Sequence, residues 1–241
     1  MSRCGDRRGI IDFRGYVTSD SEHLLGIFRE VAQVSAPEDG LVFDLDSTSI
    51  EETQIDADYQ GIRVKLTALL ARSRILVQID IGFSDELASK AQIVKYPKIL
   101  PDLEQVHMKG YPREAVVAEK FHAMIRQGDL NSRMKDYYDI WLLSQTFEFE
   151  GKSLQTAIET TFKNRDTDLP GERSESLSMG FASANNARWN NFLEKMNIET
   201  TESADFANVI ERVWEFIEHP LQASLDQKPS SRKWTPQKGW K

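Results

Sequence analysis

Two successive runs with a two-residue period constrain this chain more than any other feature. Ile62, Val64, Leu66, Ala68 and Leu70 alternate with Arg63, Lys65 and Thr67; Ile75, Val77, Ile79 and Ile81 then alternate with Leu76, Gln78, Asp80 and Gly82. Successive side chains on a strand point to opposite faces, so each run specifies a strand with one apolar face. The interval Arg72-Ser73-Arg74 suits a hairpin turn, which makes the two runs an antiparallel pair. Upstream, Ile10 to Phe13 reads as a further short strand. Ser21 to Val34 sets Leu24, Leu25, Ile27, Phe28 and Val31 at helical spacing behind a serine cap.

Beyond Tyr111 the period changes to that of helices. Pro112 opens one whose face carries Val117, Phe121 and Met124, and Gly128 closes it. A second starts after Asn131 or Ser132 and turns Met134, Tyr138, Trp141 and Leu142 inward. Ser153 to Arg165, Asn186 to Met196 and Ser203 to His219 follow, the last stopped by Pro220, while Asp166 to Ser183 reads as a loop. The pattern predicts an α/β domain over residues 1–110 and a helical domain over 111–225. Residues 226–241 hold five cations, no acid after Asp226, and Pro229, Pro236 and Gly239, the composition of a disordered basic tail.

Composition removes several function classes. No run approaches the roughly 18 apolar residues of a membrane helix, and MSRCGDRRG at the start has no signal-peptide core, so a cytoplasmic protein without a membrane partner is expected. A single cysteine excludes an internal disulfide and a multi-thiolate zinc site. The net charge of -8 argues against coating nucleic acid by bulk electrostatics, though a local basic groove survives that balance. Glu38 to Asp58 contains eight acids and no Lys or Arg, which alone matches the whole excess.

Three places carry residues suited to chemistry. Asp80 sits inside an otherwise apolar strand, where a carboxylate must be exposed, paired or metal-bound; the pattern leaves all three open. Asp12 lies likewise in Ile10-Ile11-Asp12-Phe13. Acids at i and i+2 on a strand can share two metal ions about 4 Å apart, but position 10 is Ile, and an exposed strand end is the other reading of Asp12. The third place joins Lys120 on one helix to Arg133, Lys135, Asp136 and Asp139 at the start of the next. Free amides there attract phosphate, and ordinary ion pairing between helices explains the same residues.

Gln78 to Phe83, Tyr111 to Lys120 and Asn131 to Trp141, taken in order, resemble the AbiEii/AbiGii toxin family over about residues 10 to 220. These are nucleotidyltransferase-like toxins of bacterial abortive-infection and toxin–antitoxin systems. The resemblance implies an α+β fold: a polymerase-beta-like nucleotidyltransferase mixed sheet with helices, then a helical C-terminal half. It implies transfer of a nucleotide from a nucleoside triphosphate to RNA, with tRNA ends the expected acceptor, using Mg²⁺. A separately encoded antitoxin is the implied protein partner.

Position by position, Asp12 matches the second acid of the family's Asp-x-Asp and Asp80 the acid on the next strand. Lys120 matches the lysine after Glu, and Lys135 with Asp136 the late Lys-Asp. The resemblance therefore implies Asp12, Asp80, Lys120 and Asp136 as catalytic, Asp12 and Asp80 as metal ligands, and Lys120, Arg133 and Lys135 as nucleotide-binding. Two departures stand beside the match. Ile10 occupies the place of the first acid, and residues 1–9 contain no Gly-Ser turn for the triphosphate, which predicts an N-terminally truncated domain. The alternative expectation is thus a catalytically impaired homologue that retains nucleotide, RNA or antitoxin binding.

Overall fold

The computed structural model describes residues 10–15, 20–36, 39–56, 59–83, 91–96, 98, 102, 104–198 and 205–241. The chain divides into two compact units, Met1–Leu87 with Ile99–Leu103, and Ala88–Lys98 with Glu104–Lys241. It is α+β, a mixed sheet in the first unit and a helical second unit.

The first unit contains β1 (Ile10–Gly15), α1 (Ser21–Ala32), β2 (Leu41–Asp56), β3 (Tyr59–Leu70) and β4 (Ser73–Phe83), in the sheet order β1-β4-β3-β2. The hairpin read from the period-two runs is present: β3 and β4 pair antiparallel with Ile62 opposite Ile81, Val64 opposite Ile79 and Leu66 opposite Val77. Ile62, Val64, Leu66, Ile79 and Ile81 are buried, and Leu24, Phe28 and Ala32 of α1 pack against them at a four-residue spacing. Each buried aliphatic side chain contributes about 1.5–3 kcal/mol, which makes a one-residue slip of either strand prohibitive. The parallel neighbour β1 completes the mixed sheet. The cap of α1 is Asp20 rather than the expected Ser21: its Oδ1 accepts from the Glu22 amide at 3.1 Å.

Leu41–Asp56 of the acidic block, which carries no strand period, form the sixteen-residue edge strand β2. Its period is broken by a register shift between Asp44 and Ser49. There the Ser47 hydroxyl donates to the Asp44 carbonyl at 2.6 Å and accepts from the Thr67 amide at 2.9 Å, filling the gap in the ladder.

The second unit contains β5 (Gln92–Lys95) and β6 (His107–Gly110), a small antiparallel pair lying within the 1–110 span expected for the α/β domain. Then come α2 (Arg113–Gln127), α3 (Met134–Thr146), β7 (Phe149–Glu150), α4 (Gly151–Asn164), α5 (Met179–Met196), α6 (Phe206–Leu225), β8 (Lys233–Thr235) and β9 (Gly239–Trp240). α6 packs against α3, α4 and α5. The core joins Phe121, Tyr137, Ile158, Trp189, Phe206 and Val213, with the Trp189 and Phe206 rings stacked at 4.8 Å. On α3 the deepest side chains are Tyr137 and Ile140, one position away from the expected Tyr138 and Trp141, which are half-buried.

Three expectations for this unit are corrected. The loop over 166–183 ends early: Ser178 caps α5 by accepting from the Phe181 amide at 3.0 Å, and Gly180 lies inside the helix. Pro220 does not stop α6, which runs on to Leu225. Proline has no N–H to give the carbonyl four residues back, but the Phe216 carbonyl is satisfied instead by the Trp240 indole N–H at 3.0 Å. Nor is the 226–241 segment disordered. Its Trp234 is fully buried and donates to the Ser144 carbonyl at 2.8 Å, among the last carbonyls of α3, where a helix has no donors of its own. Two tryptophans thus outweigh the polar composition around them. Among the described residues, no helix is long and apolar enough to cross a membrane.

Candidate functional site

Strand alternation sends Asp80 to the face of the first unit's sheet opposite buried Ile79 and Ile81. That face is ordered by register, with Glu51 opposite Arg63 and Arg63 opposite Asp80. Asp80 is therefore paired. Arg63 Nε lies 2.7 Å from its Oδ1 and Nη2 2.8 Å from its Oδ2, a two-pronged contact matching the planar guanidinium to the carboxylate. With its amide turned to satisfy its neighbours, the Gln78 oxygen accepts from Arg63 Nε at 2.9 Å and Nη2 at 3.2 Å. Arg63 Nη1 also approaches Glu51 at 3.9 Å, and Lys65 Nζ pairs with the same carboxylate at 2.7 Å. The Arg63 hydrogen bond and charge outweigh partial burial and hold the Asp80 carboxyl below the usual aspartate range.

The parallel register of β1 with β4 places Asp12 opposite Asp80 and Ile10 opposite Gln78. The Asp12 side chain, and with it the expected Asp12–Asp80 metal pair, lies outside the described residues, as do residues 1–9. Among the described residues, no three His, Cys, Asp or Glu side chains are grouped to hold a metal ion.

In the second unit, α2 buries Val117, Phe121 and Met124 and carries Lys120 at the margin of that face. Lys120 Nζ lies 2.7 Å from Asp136 Oδ1 and 2.8 Å from Asp139 Oδ2, bridging two carboxylates one turn apart on α3. Lys135 reaches the same Asp139 oxygen at 2.7 Å, and Arg133 Nε stands 3.0 Å from Asp136 Oδ2. Three cations thus surround two acids. Burial alone would pull the Lys120 ammonium down, but the two aspartates outweigh it and raise it above the ordinary lysine range, so it stays charged.

The Asp136 side chain is only 5% exposed and sits in the first turn of α3, where the helix end favours negative charge. The Arg133 approach supplies charge but no aligned N–H, so Asp136 Oδ2 is buried without a hydrogen-bond donor among the described residues. The turn that holds these groups is braced from below. Fully buried Asn131 accepts from the Arg133 amide at 2.9 Å and donates to the Tyr137 hydroxyl at 3.1 Å, which donates in turn to the Ser176 carbonyl at 3.0 Å. Burial pushes the Tyr137 phenol well up, keeping that donor protonated.

The expected Lys120, Arg133, Lys135 and Asp136 are therefore brought together within one unit, and Asp80 is found in a different pairing. Sequence reasoning missed Arg63, Glu51 and Gln78, and left Asp139 and Asn131 without a role in a site. The alternation that exposed Asp80 also put Arg63 and Lys65 on the non-apolar face of the neighbouring strand; only the register was needed to join them. His122 and His219 make local contacts, with Thr167 Oγ1 at 3.0 Å and Ser230 Oγ at 2.8 Å.

A family model described as "Nucleotidyl transferase AbiEii toxin, Type IV TA system" matches residues 11–218. Searches among curated proteins and among solved structures returned no match.

Proposed function

The chain belongs to the AbiEii nucleotidyltransferase toxin family of type IV toxin–antitoxin systems, and on that premise we propose that it transfers a nucleotide from a nucleoside triphosphate to RNA, slowly, with a tRNA end as acceptor. The observation that carries this reading is the donor-less Asp136 Oδ2 beside three cations. Arg133, about half exposed, covers that oxygen and is drawn away by an arriving phosphate. An RNA hydroxyl then donates to Asp136 Oδ2. As the hydroxyl oxygen bonds to the α-phosphorus, its proton passes to the carboxylate and the bond to pyrophosphate breaks. Lys120 and Lys135 offset the charge that gathers on the phosphates. The same reading makes the protein a cytoplasmic toxin of abortive infection against phage, with a separately encoded antitoxin as partner.

The family reaction implies a divalent ion, Mg²⁺ in this reading. The described residues of the first unit do not fit one: both Asp80 oxygens are taken by Arg63, and Ile10, in register with Gln78, offers no ligand atom. No step is therefore assigned to a protein-bound ion. This observation favours a second reading, a homologue that binds nucleotide, RNA or antitoxin without turnover. Incubating the full chain with each labelled nucleoside triphosphate, Mg²⁺ and total tRNA separates the two. Slow labelling abolished by Asp136→Asn supports transfer; nucleotide or RNA binding without labelling establishes the second reading. Neither binding nor labelling refutes both.

A further inference from the structure

The Asp80 row has the shape of an ion site whose ion is already part of the chain. A divalent ion binds a carboxylate oxygen at about 2.0–2.6 Å. Guanidinium nitrogens lie 2.7 and 2.8 Å from the two Asp80 oxygens, so an ion on either oxygen would stand within about 4–5 Å of a like charge. Among the described side chains around Asp80, Arg63 and Lys65 offset the charges of Asp80 and Glu51. Arginine suits the position because its fork meets both oxygens at once and does not lose its proton. The Gln78 oxygen fixes the plane of that fork from the same strand as Asp80.

We propose that Arg63 is the resident cation of the Asp80 carboxylate: its guanidinium holds the place a divalent ion would take and keeps such ions off Asp80. The inference concerns the first unit alone and does not depend on whether the chain transfers nucleotides. Glu51, 3.9 Å from Arg63 Nη1, adds a second, weaker carboxylate contact to the guanidinium.

The test is a Mn²⁺ titration of the ¹⁵N-labelled full chain, read by NMR as paramagnetic broadening of assigned amides. In the native chain, amides of β3 and β4 around Arg63 and Asp80 are expected to show no saturable broadening, and the Arg63 Nε–H signal to stay in place throughout. Arg63→Gln removes the charge and keeps a hydrogen-bonding amide. It should create saturable broadening centred on Asp80 at a Mn²⁺ concentration at least about tenfold lower than any seen in the native chain, a modest allowance for like-charge repulsion at this spacing. Asp80→Asn added to Arg63→Gln should abolish it. Saturable broadening at Asp80 in the native chain, or displacement of its Arg63 Nε–H signal by Mn²⁺, overturns the proposal. So does a folded Arg63→Gln chain that still takes no ion there. Should Arg63→Gln fail to fold, the native-chain titration decides, and failure of the labelling assay above leaves this result untouched.

Discussion

Replacing Trp240 by Phe removes one N–H from the protein, and the structure assigns that N–H an unusual duty. The indole donates at 3.0 Å to the Phe216 carbonyl, the group that a residue other than Pro220 would satisfy through its own amide. Phe216 is fully buried, so water is a poor substitute. Leaving a buried acceptor unpaired costs about 1–3 kcal/mol. The smaller ring also gives up part of the contact with Phe216, His219 and Trp234, whose centroids lie 6.0, 5.0 and 5.5 Å away, adding roughly 1 kcal/mol. The expected loss is about 2–4 kcal/mol in urea unfolding followed by far-UV circular dichroism. Packing loss alone would give a similar sign, so the decisive measurement is a double-mutant cycle with Pro220→Ala, which returns an amide to the helix. In that background Trp240→Phe should cost less by about 1 kcal/mol or more, because the carbonyl keeps a donor. Equal costs in both backgrounds, within about 0.5 kcal/mol, refute the idea that the indole replaces the missing helical bond.

The Asp80 carboxyl titrates low because Arg63 holds its charged form, so the pair's contribution is full above the unfolded aspartate value and fades as pH falls through the lower folded value. A carboxyl-carbon NMR titration should show a midpoint below the usual aspartate range that moves upward in Arg63→Gln; an unmoved midpoint contradicts the assigned cause. Tyr137→Phe strips a buried hydroxyl from between Asn131 Nδ2 and the Ser176 carbonyl, taking that partner from both, and should cost about 1–3 kcal/mol in the same urea assay. Gly151→Ala drives a methyl against Ser230 Oγ and to 2.6 Å from the Arg232 carbonyl oxygen, where α4 holds the C-terminal segment. Hydrogen exchange at Trp234 and Trp240 should then rise by about tenfold or more, an overpacking penalty of 1–3 kcal/mol being enough; unchanged protection means the segment has another anchor.

The sequence alone determined those features whose cause is local. A two-residue apolar period specified β3, β4 and their buried face, because strand geometry leaves no other way to hide Ile62, Val64, Ile79 and Ile81 together. Helical spacing and Gly128 likewise specified the C-terminal end of α2, and Phe206, Val209, Ile210, Val213 and Ile217 the buried face of α6. The Lys120, Arg133, Lys135 and Asp136 group was legible through family motifs. What decided the rest were partners distant along the chain. β2 carries five acids and an interrupted period, and becomes a strand only because β3 offers it a ladder and Ser47 bridges the break. Pro220 reads as a stop until Trp240 takes its carbonyl, and the basic tail reads as disorder until Trp234 finds the end of α3. Asp80 left open whether it was exposed, paired or metal-bound; the register of β3 against β4 placed Arg63 there. In each case one residue's state depends on an unsatisfied group elsewhere, and only the folded chain brings the two within hydrogen-bonding reach.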